Sequence, residues 1–412
     1  MRIVLAAEGT RGDVHPMLAL GAALRAAGHE VRLCVPPDFA EAARAHGLEH
    51  WPVGGSVRAY LTREARALHG SGLGVLRESR RYGREALAFQ FTALPDAARG
   101  ADLVVGAGVQ LAAPSAAELH GAPYRYVAYC PALLPSAEHA PAFLPLRTRS
   151  PRLHRAAWRA MRVAWNWEFR GVLNRHRAAL DLPPLRGDLL LHLLGGHPLL
   201  AADRALAPAP RDLPFAVEQV PCLHPFDDTA PLPPKLESFL AAGPPPLYVG
   251  FGSMTDPAPA ATTALLLDAI ASLGCRALLA RGWAGLADGP HPEGVMAVGS
   301  VSHAALFPRV AAVVHHGGAG TTTTAARAGA PQLILAHVLD QFYWAKRVEE
   351  LGLGPPALPR RRLTARSLAR ALALLLDNEV VTERARELGA RLLGERLLDP
   401  ELVRRVVAPQ DA

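Results

Sequence analysis

The feature that most constrains this chain is an apolar strand pattern that runs into a glycine-bearing loop and then a helix, and it occurs twice. Residues 3–7 are a short uninterrupted apolar run, the kind a parallel sheet buries on both faces. The loop Glu8-Gly9-Thr10-Arg11-Gly12-Asp13 follows, and residues 15–27 then place Met17, Leu18, Leu20 and Leu24 on one helical stripe. Gly28 ends that helix and residues 31–35 form the next strand, which completes a βαβ unit with a right-handed crossover. Residues 103–106 and 126–129 continue the series. The alternation restarts at residues 247–251, which run into Gly252-Ser253-Met254, and later strands are predicted over 277–280, 295–298, 311–315 and 332–335. The expectation is an α/β chain of two doubly wound, Rossmann-like domains facing a cleft.

Between the two series, residues 206–246 are rich in proline and poor in periodicity, apart from one short helix predicted over 235–242. The domains expected are 1–215 and 246–390, with 216–245 as linker. A length of 412 residues suits two large domains, and a chain half hydrophobic and one-fifth charged is neither disordered nor collagenous. Four cysteines, Cys34, Cys130, Cys222 and Cys275, stand far apart with no CxxC pair, so reduced thiols are expected and zinc is not. The net charge of +7 is carried almost wholly by arginine, since Lys235 and Lys346 are the only lysines, and compositional arginine is weak support for nucleic-acid binding. No apolar run approaches the ~20 residues of a membrane span and no signal-peptide core opens the chain, so a cytoplasmic protein is expected.

Residues 147–177 depart from the pattern. Nine arginines (147, 149, 152, 155, 159, 162, 170, 175 and 177) face one acid, Glu168, while Trp158, Met161, Trp165 and Phe169 recur at three- and four-residue spacing. A core-packed helix with arginine stems on solvent, a contact with an anionic membrane, and a wall of a small-molecule pocket are the readings left open. A nucleic-acid site lacks its stacking platform.

The most specific stretch is 313–325, where a buried strand ends in His315-His316, passes through Gly317-Gly318-Ala319-Gly320 and enters a helix at Thr321-Thr322-Thr323-Thr324. Amides and dipole at such a helix start attract anions, although glycines also serve plain helix–strand packing. It is neither a P-loop nor the dinucleotide fingerprint GxGxxG, and the first strand lacks that fingerprint too, which disfavours an oxidoreductase.

These residues, with Arg327-Ala328-Gly329-Ala330-Pro331-Gln332 and Asp340-Gln341-Phe342-Tyr343-Trp344-Ala345 after them, resemble the donor-binding signature of family 1 nucleotide-sugar glycosyltransferases. Bacterial antibiotic enzymes of the vancomycin-group type are the nearest likeness, and sterol glucosyltransferases the next. Residues 9–16, 174–184, 201–208 and 243–254 share the likeness, so it covers both halves of the chain.

The resemblance implies a GT-B fold, an acceptor held by the N-terminal half, a UDP- or dTDP-sugar held by the C-terminal half, and an inverting transfer. It also implies that the last helix, within 391–412, returns to the first domain. Asp13 matches the general base, with N-capping of the helix as its plain structural role; Thr10 beside it is a second catalytic candidate, set to hydrogen-bond an acceptor or donor oxygen, and Gly12 is a donor-binding candidate. Residues 106–110 offer no second carboxylate of the sort plant relatives use. Ser253, His315 and the Gly318, Gly320, Thr321 and Thr322 amides match the diphosphate site, Val301 the pairing position for the base, and Asp340 with Gln341 the hexose-hydroxyl pair. Trp344 is core or sugar-facing, and His316 is expected to point away from the loop. Thr323 stands where ribose-binding relatives carry glutamate, which favours dTDP. No Asp-x-Asp triplet is present, so no metal or other cofactor is expected. The partners implied are the nucleotide sugar and a hydrophobic small-molecule acceptor, with no nucleic acid. A membrane-associated sterol or glycolipid glucosyltransferase is the rival reading, and a non-catalytic binding protein on the same fold is the third.

Overall fold

Ile3 to Ala7 are fully buried, as an apolar run covered on both faces must be, and they form β1 (Arg2–Ala7) inside a parallel sheet. The computed structural model of the chain describes residues 1–64, 72–144, 146, 148–223, 230–394 and 400–408. The first sheet adds β2 (Glu30–Val35), β3 (Glu49–Pro52), β4 (Leu103–Ala107), β5 (Tyr124–Ala128), β6 (Leu199–Ala201) and β7 (Glu218–Val220), in the order β3-β2-β1-β4-β5-β6-β7. Ile3 pairs with Val31 on one side and with Leu103 on the other. The second sheet is also parallel, β10-β9-β8-β11-β12, built from β8 (Leu247–Gly250), β9 (Ala277–Ala280), β10 (Val295–Val298), β11 (Ala312–His315) and β12 (Gln332–Ile334). Strand alternation sends Val249 and Val314 into one core and Tyr248 and Val313 into the other, so this sheet is covered on both faces.

The described residues fall into two units. The first lies within 1–204, 208–225 and 396–412, and the second within 205–207 and 226–395. The first unit therefore runs past residue 215, because β7 completes its sheet inside the stretch read as linker. The helix Pro234–Ala241 follows in the second unit. Residues 224–229 of the expected linker lie outside the described residues, as do Pro145, Arg147 and 395–399.

The C-terminal helix Pro400–Val407 belongs to the first unit. It buries Leu402, Val403 and Val406, and the buried Arg125 guanidinium from β5 donates to the carbonyls of Arg405 and Val406. Glu218 of β7 accepts from both Arg125 and Arg405. Desolvation dominates at Arg125 and lowers its pKa, against the raising effect of Glu218. All four cysteines are free. No helix among the described residues is long and apolar enough to cross a membrane.

The helix Pro151–Ala178 turns Trp158 and Met161 inward, and Trp165 packs on Phe143. That settles its inner face as core packing.

Candidate active site

In each sheet the strand order reverses once, between β1 and β4 in the first and between β8 and β11 in the second. Loops leaving the C-terminal ends of those strands carry most of the residues singled out from sequence.

In the first unit the helix Arg11–Ala26 starts one turn earlier than Pro16 suggests. Thr10 is its N-cap, and the Thr10 carbonyl accepts from the amides of Asp13 at 3.0 Å and Val14 at 3.1 Å. Asp13 is consequently the third helical residue rather than the cap, and its Oδ2 accepts the Thr10 N–H at 2.9 Å in the manner of a capping box. The carboxylate is only partly buried and lies at the positive end of the helix. Pro16 has no N–H, which leaves the carbonyl of exposed Gly12 without its helical partner. Gly9 (φ +130°) has to be glycine, since a Cβ there would stand 2.2 Å from Asp13 Oδ2.

A second carboxylate does stand at this sheet end, but it comes from β1 and not from β4. Glu8 accepts a hydrogen bond from Gln90 Nε2 at 2.5 Å and another from Tyr82. Burial pushes the Glu8 pKa up, against those two bonds, and it also raises the Tyr82 phenol, which faces the charges of Glu8 and Asp13. Buried Gln90 in turn donates to the Val109 carbonyl at 2.9 Å and accepts from the Ala112 amide at 3.2 Å. Tyr129 donates to the Asp13 carbonyl at 3.1 Å and Tyr126 to the Gly108 carbonyl at 3.0 Å. The loop after β4 is thus held against the Asp13 helix. It buries Gln110 completely, with neither side-chain amide atom hydrogen-bonded among the described residues. Nothing in the sequence pattern separates Glu8 from an ordinary loop acid.

In the second unit the two loop histidines exchange the positions expected of them. His315 ends β11 with its ring fully buried. Its Nε2 lies 2.9 Å from Gln332 Oε1, and its Nδ1 accepts the Gly317 N–H at 3.1 Å, so the proton sits on Nε2. Burial first, and His316 second, push its pKa down to about 3. His315 therefore keeps no ring nitrogen for a ligand and serves as a brace for the loop. His316 points into the loop, not away from it: a Cβ on Gly318 would lie 2.5 Å from His316 Nε2, and one on Gly252 would lie 3.1 Å from Cε1. Its ring stands between the two loops of the order reversal. Its Nδ1 is buried without a partner among the described residues, and burial pushes its pKa down to about 4.

Gly318 caps the helix Ala319–Arg327, whose first-turn amides include those of Gly320 and Thr321. Thr322 is a correction as well. Its amide and its hydroxyl both donate to the Gly318 carbonyl at 2.9 Å, so the first-turn amides without a helical acceptor end at Thr321. Ser253 follows Gly252 and is buried. Val301 lies in the loop after β10, at the sheet edge, packed on the core around Leu306.

Beyond β12, the opposite edge, Leu339 takes φ +55°, a strained conformation for leucine, and leads into Asp340. Trp344 is core, and its indole N–H donates to Asp340 Oδ2 at 3.0 Å. Desolvation raises the Asp340 pKa to about 6. Gln341 is buried and occupied: its Oε1 accepts from the amides of His337 at 2.7 Å and Val338 at 3.0 Å, and its Nε2 meets Met254 Sδ at 3.3 Å. Gln341 shapes the loop that presents Asp340.

Residues 3–118 match the glycosyltransferase family 28 N-terminal domain, and residues 266–408 match the C-terminal domain of erythromycin biosynthesis protein CIII-like sequences. The chain is 42% identical over 413 residues to a vancomycin aglycone glucosyltransferase of Amycolatopsis orientalis, covering 97% of each. It is 36% identical over 388 residues to a dTDP-epi-vancosaminyltransferase of the same organism, covering 92% of this chain and 91% of the other. Among solved structures it is similar in fold to the glycosyltransferase VinC in complex with dTDP, at a TM-score of 0.69 and 24% identity over 99% of both chains.

Proposed function

Because this chain belongs to the GT-B glycosyltransferases of antibiotic biosynthesis, we propose that it transfers a hexose or deoxyhexose from a UDP- or dTDP-sugar to a hydroxyl of a hydrophobic natural product, by an inverting, metal-independent displacement. The observation that carries this reading is Asp13, a partly exposed carboxylate locked by the Thr10 amide at the helix start after β1. In this reading Asp13 accepts the acceptor's proton as the hydroxyl oxygen bonds to the anomeric carbon. The bond from that carbon to the diphosphate oxygen breaks on the opposite side, and the configuration inverts.

The order of loops along the second sheet suits a nucleotide sugar laid across it, about 19 Å from β10 to β12 at the usual strand spacing. The base lies by Val301, the diphosphate by Ser253, His316 and the Gly318, Ala319, Gly320 and Thr321 amides, and the hexose by Asp340. Histidine and helix dipole take up the leaving group's charge in place of a cation. Counted from His316, the ribose position is Thr324 rather than Thr323. Both are buried, and the Thr324 hydroxyl donates to the Gly320 carbonyl at 2.8 Å. Neither carries a carboxylate, which favours the deoxyribose donor.

Asp13→Asn tests the assignment. Turnover should fall about 10²–10⁴-fold with nucleotide affinity unchanged. Product formation by the variant within about threefold of the parent would remove Asp13 from the reaction.

A further inference from the structure

The outward face of the Pro151–Ala178 helix carries none of the residues assigned to sugar transfer, and its composition is unusual for a surface left to water. Trp167 is 76% exposed, Val163 63% and Leu153 55%. With Ala156, Ala160 and Gly171 they follow one another at helical spacing, so a single apolar stripe runs along a helix of 28 residues, about 42 Å. Arg152, Arg159, Arg170 and Arg175 flank it and make no ion pair among the described residues, whereas Arg162 and Arg177 are paired with Asp188 and Glu118. From the neighbouring helix Gly72–Ala97, the Arg80 guanidinium lies 5.1 Å from the Trp167 ring centroid, and Arg80 with Arg84 neutralises Glu168, the one acid of the helix. The face therefore combines a central apolar line, an indole with one polar edge, and a margin of unneutralised cations.

We propose that this face docks on an anionic lipid bilayer, with Trp167 and Val163 in the headgroup region and the flanking arginines against lipid phosphates. Indole partitions to that interface because its ring is apolar and its N–H is polar, and arginine supplies forked donors for phosphate. A second copy of this chain would bring the same positive margin against itself, so charge complementarity selects lipid over self-association. A hydrophobic acceptor would concentrate in the same layer, although the docking surface stands independently of what the enzyme glycosylates.

Co-sedimentation of the intact chain with vesicles of phosphatidylcholine, with and without phosphatidylglycerol, tests this. Binding should be about tenfold or more stronger to the anionic vesicles and should weaken as salt is raised. Trp167→Ala and the double variant Arg152→Glu/Arg159→Glu should each lower it about fivefold or more, with unchanged thermal unfolding and unchanged affinity for free dTDP. Equal or absent binding to the two vesicle types would overturn the proposal, as would anionic-vesicle binding that both variants retain. Sedimentation velocity showing a dimer that Trp167→Ala dissolves would overturn it in favour of a self-interface.

Discussion

Replacing His316 by alanine should weaken free UDP or dTDP binding, while replacing His315 should weaken the fold. The two rings are adjacent in sequence and differ in what their nitrogens touch. His316 Nε2 stands beside the Gly318 backbone that opens the α-helix Ala319–Arg327, so in the proposed donor site a diphosphate would gain one charge-assisted hydrogen bond from it. Such a bond is worth about 1.5–3 kcal/mol, or roughly 10–150-fold in dissociation constant. His315→Ala instead strands the Gly317 N–H and the Gln332 oxygen and opens a cavity, a loss of about 3–5 kcal/mol of folding stability. Protonation adds a second signature. Free His316 has its pKa pushed down to about 4, and a neighbouring diphosphate raises it, so binding takes up a proton. Affinity should then tighten as pH falls from neutrality toward 5, and the alanine variant should lose that slope. Titration calorimetry in buffers of different ionisation heat, paired with thermal unfolding, reads all of these. If His316→Ala bound nucleotide within about twofold of the parent, while His315→Ala lost binding at unchanged stability, the assignment would be reversed.

Asp340 keeps its carboxyl pKa at about 6, above the ordinary 3.8, so its contribution to stability is full below pH 3.8 and lost as pH rises through 6. Asp340→Asn should therefore raise the melting temperature at pH 8 by the equivalent of about 3 kcal/mol, with the gap closing in acid, and lower turnover about tenfold; unchanged turnover would free Asp340 from the sugar. Gly9→Ala should cut turnover as Asp13→Asn does and spare nucleotide affinity, because the new methyl occupies the space of the Asp13 carboxylate; full activity would show that the carboxylate need not sit there. The reaction should continue in excess EDTA and convert an α-linked donor to a β-linked product, read by proton NMR at the anomeric position; retention, or activity restored only by manganese, would refute the mechanism.

The two strand–loop–helix series were legible because runs such as 3–7 and 247–251 are buried on both faces, and a continuous apolar run is what that burial demands. β3, β6 and β7 were not: β3 has no fully buried residue, and β6 and β7, three residues each, adjoin Pro198 and Pro221. Pro16 suggested a helix start one turn late, because the Thr10–Asp13 cap outweighs one missing hydrogen bond. The glycine loop after β11 was legible as a motif. The division of labour inside it was not, since it depends on partners distant in sequence: Gln332 takes His315, and the 337–338 amides take Gln341. The inward stripe of the arginine-rich helix was readable from spacing. Its outward line of Leu153, Val163 and Trp167 was obscured by the arginines interleaved with it.

The return of the Pro400–Val407 helix to the first unit matters to anyone recombining such enzymes. A hybrid joined once, near residue 226, would inherit the first sheet from one parent and the last helix from the other. Arg125 would still find two carbonyls on any helix seated there, but the Glu218–Arg405 contact and the fit of Leu402, Val403 and Val406 would be left to chance. Misfitted apolar side chains cost about 1–3 kcal/mol, a large share of a domain's usual margin of stability. Two crossovers, the second before residue 396, would keep the helix with the sheet it evolved against.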